Sequence, residues 1–575
     1  MRKVNLHIAA AVCIFMLTLT GPVAAVTHNV SPGQSIQATI DDANDGDEIE
    51  VAPGVYNEAI DFKGKAVRLY SSGGPEVTTI DATGLSSSVV SCTSGEGINT
   101  ILTGFTITGG TGTPDDYGQL CGGGMRNESS SPTVTNCIFT SNSAEFGGGL
   151  FNYAGSATVS DCTFTNNTVS HWGAGLYNND SSPTLTNCIF SGNTATEFGG
   201  GIYNGKTSNP AVSDCNFTDN SAREGGGMHN GSSSSPTVSD CSFSNNTANW
   251  GGGIYNHTSS PTVVKCTFNG NNAVTAIDDG RGGGMFNNWY SSPLVTECIF
   301  ISNSSDDYGG GMYNYDYSSP TMINCTFRGN TATVVGGGIA NANNSSPRVI
   351  NGTFSGNTAA YGAGMHGNFS SSPTMTNCAF SGNTAGTDGG GMYNTNSSSP
   401  TLTNCTLIGN TAGDRGGAIF SYNGSPTVTN CILWGNTPDE IFNSGGIATV
   451  TYSDVQGWWS GVGNIDADPC FVDADNPDPN LWNLQLKPDS PCIDAGDTTA
   501  VPTGIFADVD GNLRGVDDPE SPDTGVSIFG VTVDMGAYEF QLCRIPGDIN
   551  CDGVVDFKDV AILCNNWLAG IEPEL

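Results

Sequence analysis

One phrase, Ser-Pro-Thr-Val-Thr-Asn-Cys-x-Phe-x-x-Asn, returns along most of this chain at intervals of 25 to 27 residues, apart from one interval of 32. Its Cys stands at positions 137, 162, 188, 215 and onward to 431, with Gly352 in its place once. A Pro lies five residues ahead of the Cys from Pro132 to Pro426, with Ala157 in one copy, so this stretch takes no insertion. A second phrase, Gly-Gly-Gly-Met-Tyr-Asn, falls between the copies, starting at Gly122 and last seen at Gly416. A unit this short, made of β-branched runs and Gly corners, cannot bury a face alone, but stacking one unit per turn buries a continuous core. The repeat therefore predicts an all-β fold, a parallel β-helix over residues 119–456. The 79 Gly and the 13 % of charged residues in 575 exclude a coiled coil or helical bundle.

The register follows from the corner. If Asn136 adopts the left-handed conformation that Asn tolerates, Val134, Cys137 and Phe139 all point inward. Asp161, Asn187 and Asp214 hold the same place in later units, with Lys265 and Glu297 as exceptions. Coils in register lie about 4.8 Å apart, so the Phe positions from Phe139 to Phe380 should form one stack, continued by Leu407 and Leu433. The same spacing sets the ladder cysteines beyond the roughly 3.5–4.5 Å between Cβ atoms that a disulfide prefers, which makes them small apolar core residues. Cys470 with Cys492, and Cys551 with Cys564 or Cys543, are the better disulfide candidates. The FxxN phrases, and GG followed by an aliphatic residue, resemble the repeats of the polymorphic outer-membrane protein family from about Gly122 to Asn436. That resemblance implies a right-handed parallel β-helix of the pectin-lyase type. The family's terminal membrane barrel has no counterpart in this sequence, so autotransport is not carried over.

Residues 1–25 carry Arg2 and Lys3, an apolar run from Ile8 to Leu19 and the small residues Val23-Ala24-Ala25, the pattern of a secretory signal peptide. The apolar run is about 12 residues where a membrane span needs about 20, so a secreted or cell-surface protein without a span is expected. Residues 26–118 should cap the solenoid and begin its coils, with Ser35 capping a short helix that sets Ile36, Ile40 and Ala43 on one face. Residues 457–542 read as acidic terminal coils and a cap. Their phrases Ser490-Pro-Cys-Ile-Asp-Ala-Gly496 and Val533-Asp-Met-Gly-Ala-Tyr-Glu539 resemble a terminal region of secreted bacterial β-helix proteins.

The balance of 17 basic against 55 acidic residues excludes nucleic acid as a partner, because that affinity comes from Lys and Arg neutralising phosphates. In residues 543–575 the run from Asp548 to Asp559 places oxygen side chains at loop positions 1, 3, 5, 9 and 12, with Gly553 at position 6. Asp548, Asn550, Asp552, Asp556, Asp559 and the Val554 carbonyl can hold Ca²⁺ there. Asp at the last position, with no clear entering helix, resembles a type I dockerin, which implies docking to a cohesin-like scaffold or a cell-surface partner. Dockerins usually carry two such loops, and this chain carries one.

Outward from the Gly phrase, alternation predicts a stripe of rings that includes Tyr177, Tyr203, Tyr255, Phe286, Tyr313 and Tyr393. Such a stripe either stacks on sugar faces or stacks on itself. Catalytic candidates are few: Asp278, Asp279 and Arg281 in the long loop of the 32-residue unit, with Asp306 and Asp307 one coil on. Two functions stand side by side. One is a non-catalytic adhesion or carbohydrate-binding rod docked through its calcium loop. The other is a polysaccharide lyase or glycoside hydrolase.

Overall fold

A computed structural model describes residues 25–541, apart from 276–278, 519–520 and 529. The signal segment up to residue 24, the cysteines at 543, 551 and 564 and the whole calcium loop lie outside the described residues. A full coil of the solenoid has four short strands, as in Thr133–Thr135, Ile138–Thr140, Ser143–Phe146 and Leu150–Tyr153. Stacking them builds parallel sheets of 17, 16 and 15 strands, with sheets of five and seven strands along the remaining side. The coils are in register, so that Val134 lies beside Val159, Phe139 beside Phe164 and Leu150 beside Leu176.

The corner is left-handed in every unit, with φ of 50° at Asn136 and 54° at Asp161. It persists at Lys265 (53°) and Glu297 (54°), where the flanking ladders override local preference: Lys265 N–H donates to Thr296 O at 2.9 Å. Inside, the Phe rings stack in parallel from Phe139 to Phe380, with centroids 4.4 Å apart at the closest pair and 5.1 Å at the widest. The third Gly of the Gly run exists for this stack, since a Cβ on Gly227 would sit 2.8 Å from Phe243 Cδ1 and 2.7 Å from Gly253 O. The ladder cysteines are buried free thiols, each turned to backbone, as Cys162 Sγ to Ser160 O at 3.1 Å. The expected Cys470–Cys492 disulfide is not formed. Cys492 is buried and donates instead to Asp454 Oδ2 at 3.3 Å, while Cys470 sits half-exposed in a turn.

Two buried ladders of Asn, one in each repeated phrase, hold the polar backbone of the corners. In the first, Asn167 Nδ2 donates to Phe139 O at 2.9 Å and to Asn193 Oδ1 at 3.0 Å, and Asn167 Oδ1 accepts from the backbone of Asn142. The second runs Asn127, Asn152, Asn178, Asn204, with amide-to-amide distances of 2.8 to 2.9 Å. It breaks where Gly367 replaces Asn: Asn341 Nδ2 turns to His366 O, and the buried Asn394 Oδ1 has no partner.

Both ends are closed. Helix Ile36–Asp42 has Ser35 as its N-cap and buries Ile36 and Ile40. Lys65 Nζ caps its far end by donating to Ile40 O, Asp41 O and Ala43 O at 2.6 to 2.8 Å, a cation placed on orphan carbonyls. At the other end Thr449–Thr451 adds one more coil, Ser453 takes the Cys position and accepts from Cys431 N–H, and Trp459 packs against the core. From Asp466 onward the chain turns back along the flank of the last coils. Arg514 ties it there, with Nε donating to Asn377 Oδ1 at 2.9 Å and Nη1 to buried Glu539 at 3.1 Å. Asp497 and Asn430 exchange two hydrogen bonds, at 2.7 and 2.9 Å.

Candidate functional site

The predicted ring stripe is a second apolar core, not an open surface. Tyr177, Tyr203, Tyr255 and Tyr313 are 2–7 % exposed and Phe286 is fully buried, while Tyr393 is half-buried. The rings stack on one another, Phe151 on Tyr177 at 4.9 Å and Tyr177 on Tyr203 at 5.2 Å. Alternation does turn them away from the solenoid interior. The Gly run then bends the chain sharply, so that the ring before it lies against the ring after it, as Tyr308 does on Tyr313 at 5.6 Å. Burial pushes the Tyr177 hydroxyl up to about 12. Of the two readings of the stripe, self-stacking describes its length.

At its N-terminal end this packed seam opens into a groove of about 440 Å³. Strands Thr113–Pro114 and Leu120–Cys121 pair antiparallel, and the loop between them, which Asp115 holds by accepting from Tyr117 and Gln119 N–H, forms one lip. Tyr117 stands 90 % exposed on that lip. Phe146, Phe151 and Tyr177 make an apolar floor, and half-buried Trp172 and Tyr153 make the walls. Charges gather on the same wall: Arg126 pairs with Glu128 at 2.6 Å, and Lys206 lies over the Tyr153 ring at 5.7 Å. Two buried polar atoms in this lining, Arg126 Nε and Asn179 Oδ1, have no hydrogen-bond partner. The arrangement sets aromatic rings beside the charged groups of Arg126, Glu128 and Lys206. That combination orients a polyhydroxylated ligand, which presents both apolar ring faces and hydroxyls.

Arg126 stands in the first Gly phrase at the position where later copies carry a ring. The loop carrying Asp115, Asp116 and Tyr117 lies just ahead of the first Gly run, and that position was the available signal. Nothing local says that Lys206, two coils on, meets Tyr153.

The acidic loop of the long unit has a different character. Asp278 lies outside the described residues. Asp306 Oδ2 accepts from Thr275 N–H at 2.7 Å, and Asp307 Oδ2 accepts from Thr275 Oγ1 and Gly280 N–H, both at 2.8 Å. Arg281 donates to Asp279 at 3.1 Å and lies over the Trp250 ring at 5.5 Å. One oxygen each of Asp306 and Asp307 and one nitrogen of Arg281 thus hold the described part of this insertion, while Arg281 Nε is left without a partner.

Matches to one family model, the right-handed β-helix region, run over residues 55–223, 178–354 and 325–457 and together span more than half of the chain. The chain belongs to the right-handed β-helix family. No curated protein matches it. Among solved structures this β-helix is similar to the pectate lyase Pel9A, at 13 % identity and a TM-score of 0.29, over 90 % of this chain and 98 % of that one. It is similar also to the catalytic unit of an α-1,3-glucanase from Streptomyces thermodiastaticus, at 13 % identity and a TM-score of 0.28, over 77 % and 70 % of the two chains. A third is the A-module of the mannuronan C-5 epimerase AlgE4 of Azotobacter vinelandii, at 12 % and 0.25, over 75 % and 95 %. Among the described residues of this β-helix, no helix is long and apolar enough to cross a membrane.

Proposed function

We propose that this β-helix is a secreted or cell-surface rod that binds polysaccharide without cleaving it, and that its C-terminal calcium loop anchors it to a partner. The groove beside Trp172 carries the reading, because aromatic rings and charged hydrogen-bonding groups converge there and sugars present matching surfaces. Against cleavage stands the tethering of the acidic candidates: one oxygen each of Asp306 and Asp307 holds Thr275 and Gly280. The leader-like segment 1–25 supports secretion. The spacing of Asp548, Asn550, Asp552, Val554, Asp556 and Asp559 supports Ca²⁺ as the resident ion and a cohesin-like partner.

Affinity electrophoresis against a panel of neutral and acidic polysaccharides tests the proposal. Retardation by at least one glycan, weakened on the order of tenfold by Trp172→Ala (about 1.4 kcal/mol), is the expected result. Retardation by none, or equal retardation of the variant, removes the groove from the argument. Release of reducing or unsaturated ends from the same incubations replaces binding with lyase or hydrolase activity.

A further inference from the structure

The cap that folds back over the last coils contains a second cluster of carboxylates, separate from the groove and from the C-terminal calcium loop. Asp494, Asp517 and Asp523 each place a carboxylate oxygen within 4.8 Å of the other two. An acidic cluster alone is ordinary on a chain of net charge −38. What distinguishes this one is Asp494, which is fully buried and whose Oδ1 has no hydrogen-bond partner.

The rest of Asp494 is committed. Its N–H donates to Asp534 Oδ1 at 2.8 Å, its carbonyl accepts from Thr524 and Gly525 N–H at 3.1 and 3.2 Å, and its Oδ2 accepts from Asp518 N–H at 3.1 Å. Asp523 is held by Thr532 Oγ1, which donates to its Oδ1 at 2.8 Å. Three segments distant in sequence are thus fixed around one point, and the buried oxygen left over belongs to the residue at its centre. A buried acceptor without a donor costs about 1–3 kcal/mol, and more when charged. Arg514, the guanidinium of this cap, offers no relief, since it is engaged by Glu539, Asn377 and Gly536 O.

We propose that Asp494, Asp517 and Asp523 form a Ca²⁺ site that pins the cap's outer loop to its buried turn. Hard cations take oxygen ligands, and Ca²⁺ at about 2.3–2.6 Å from each ligand spans oxygens up to about 5 Å apart. The separations here fall within that reach. Water and backbone carbonyls complete the shell, as they do in irregular calcium sites.

The test uses the full chain carrying Asp548→Ala and Asp559→Ala, which removes the C-terminal loop from the titration. Calorimetric titration with Ca²⁺ alone should show one bound equivalent in this background. Adding Asp517→Asn or Asp523→Asn, both exposed positions that leave the buried turn intact, should weaken that equivalent at least tenfold in one or both variants. With excess chelator the variants should melt where their parent does, and only the parent should gain melting temperature on adding Ca²⁺. Absence of a bound equivalent in the background chain, or an equivalent weakened less than tenfold in both variants, overturns the site.

Discussion

The rod and the flap folded over its C-terminal flank bury polar groups in opposite ways. In the rod the inner ladder of polar groups is made of amides: Asn142, Asn167, Asn193 and their successors each donate and accept, so one coil satisfies the next. In the flap they are carboxyls, with Asp494, Asp508, Asp534 and Glu539 all buried. A carboxylate only accepts, so it cannot propagate a ladder and must be met by backbone N–H groups, by an Arg or by a proton. Repetition therefore selects Asn, and acids collect where the chain passes only once. Stability in the rod should be local and indifferent to ions, while in the flap it should depend on pH and Ca²⁺.

The largest expected break in this contrast is Phe243→Ala. Its ring lies between Phe217 and Phe268, at 4.5 and 5.0 Å, in a stack with no room to collapse. The loss should be about 3–5 kcal/mol in denaturant unfolding of the rod, the same with Ca²⁺ as with chelator. Dependence on Ca²⁺ would mean that rod and flap unfold as one unit.

Asn246→Ala should cost somewhat less. It leaves Asn220 N–H and Phe217 O, both partners of the Asn246 amide, without their hydrogen bonds. Each buried backbone group so orphaned costs about 1–3 kcal/mol. Asn246→Asp should recover the first bond and not the second, and the difference between the two unfolding midpoints measures what the donor contributes.

The smallest effect is in pH, and its sign differs between the rod's last coil, on which the flap packs, and the middle of the rod. Burial pushes Asp454 up to about 7, with Asp466 and Asp468 adding to it while Ala467 N–H and Cys492 oppose it, and burial raises Glu440 to about 7 as well. Folded values above the usual ones mean that this contribution is complete below about pH 4 and is lost as pH rises through about 7. His366 in the rod is held down to about 3 by burial, so its contribution is complete above about pH 6.5 and lost as pH falls toward 3. Hydrogen exchange corrected for intrinsic rates, in chelator at pH 5 and pH 8, should show the last coil better protected at pH 5 and the coil around His366 better protected at pH 8. Asp454→Asn should flatten the last coil's response. Parallel responses in both regions would dissolve the contrast.

The repeat by itself determined the solenoid, its register, the left-handed corner and the Phe stack, because each coil contacts only its neighbours and a pattern that recurs in sequence must recur in space. Ser35 and the helix it caps were equally legible, being local. Both Asn ladders stood in the repeated phrases, yet their role depends on a carbonyl one coil away, which no single phrase displays. The ring stripe was legible as a period and not as a surface: alternation sets Tyr177 outside the core, but the neighbouring strand that covers it is placed by tertiary packing. The groove joins Tyr117, Arg126, Trp172 and Lys206 across four coils, and the Asp494 cluster joins turns that meet only after the chain reverses along the rod. Local sequence encodes what adjacent coils do to one another. Where non-adjacent segments meet, one-off contacts decide the outcome, and they leave no period to read.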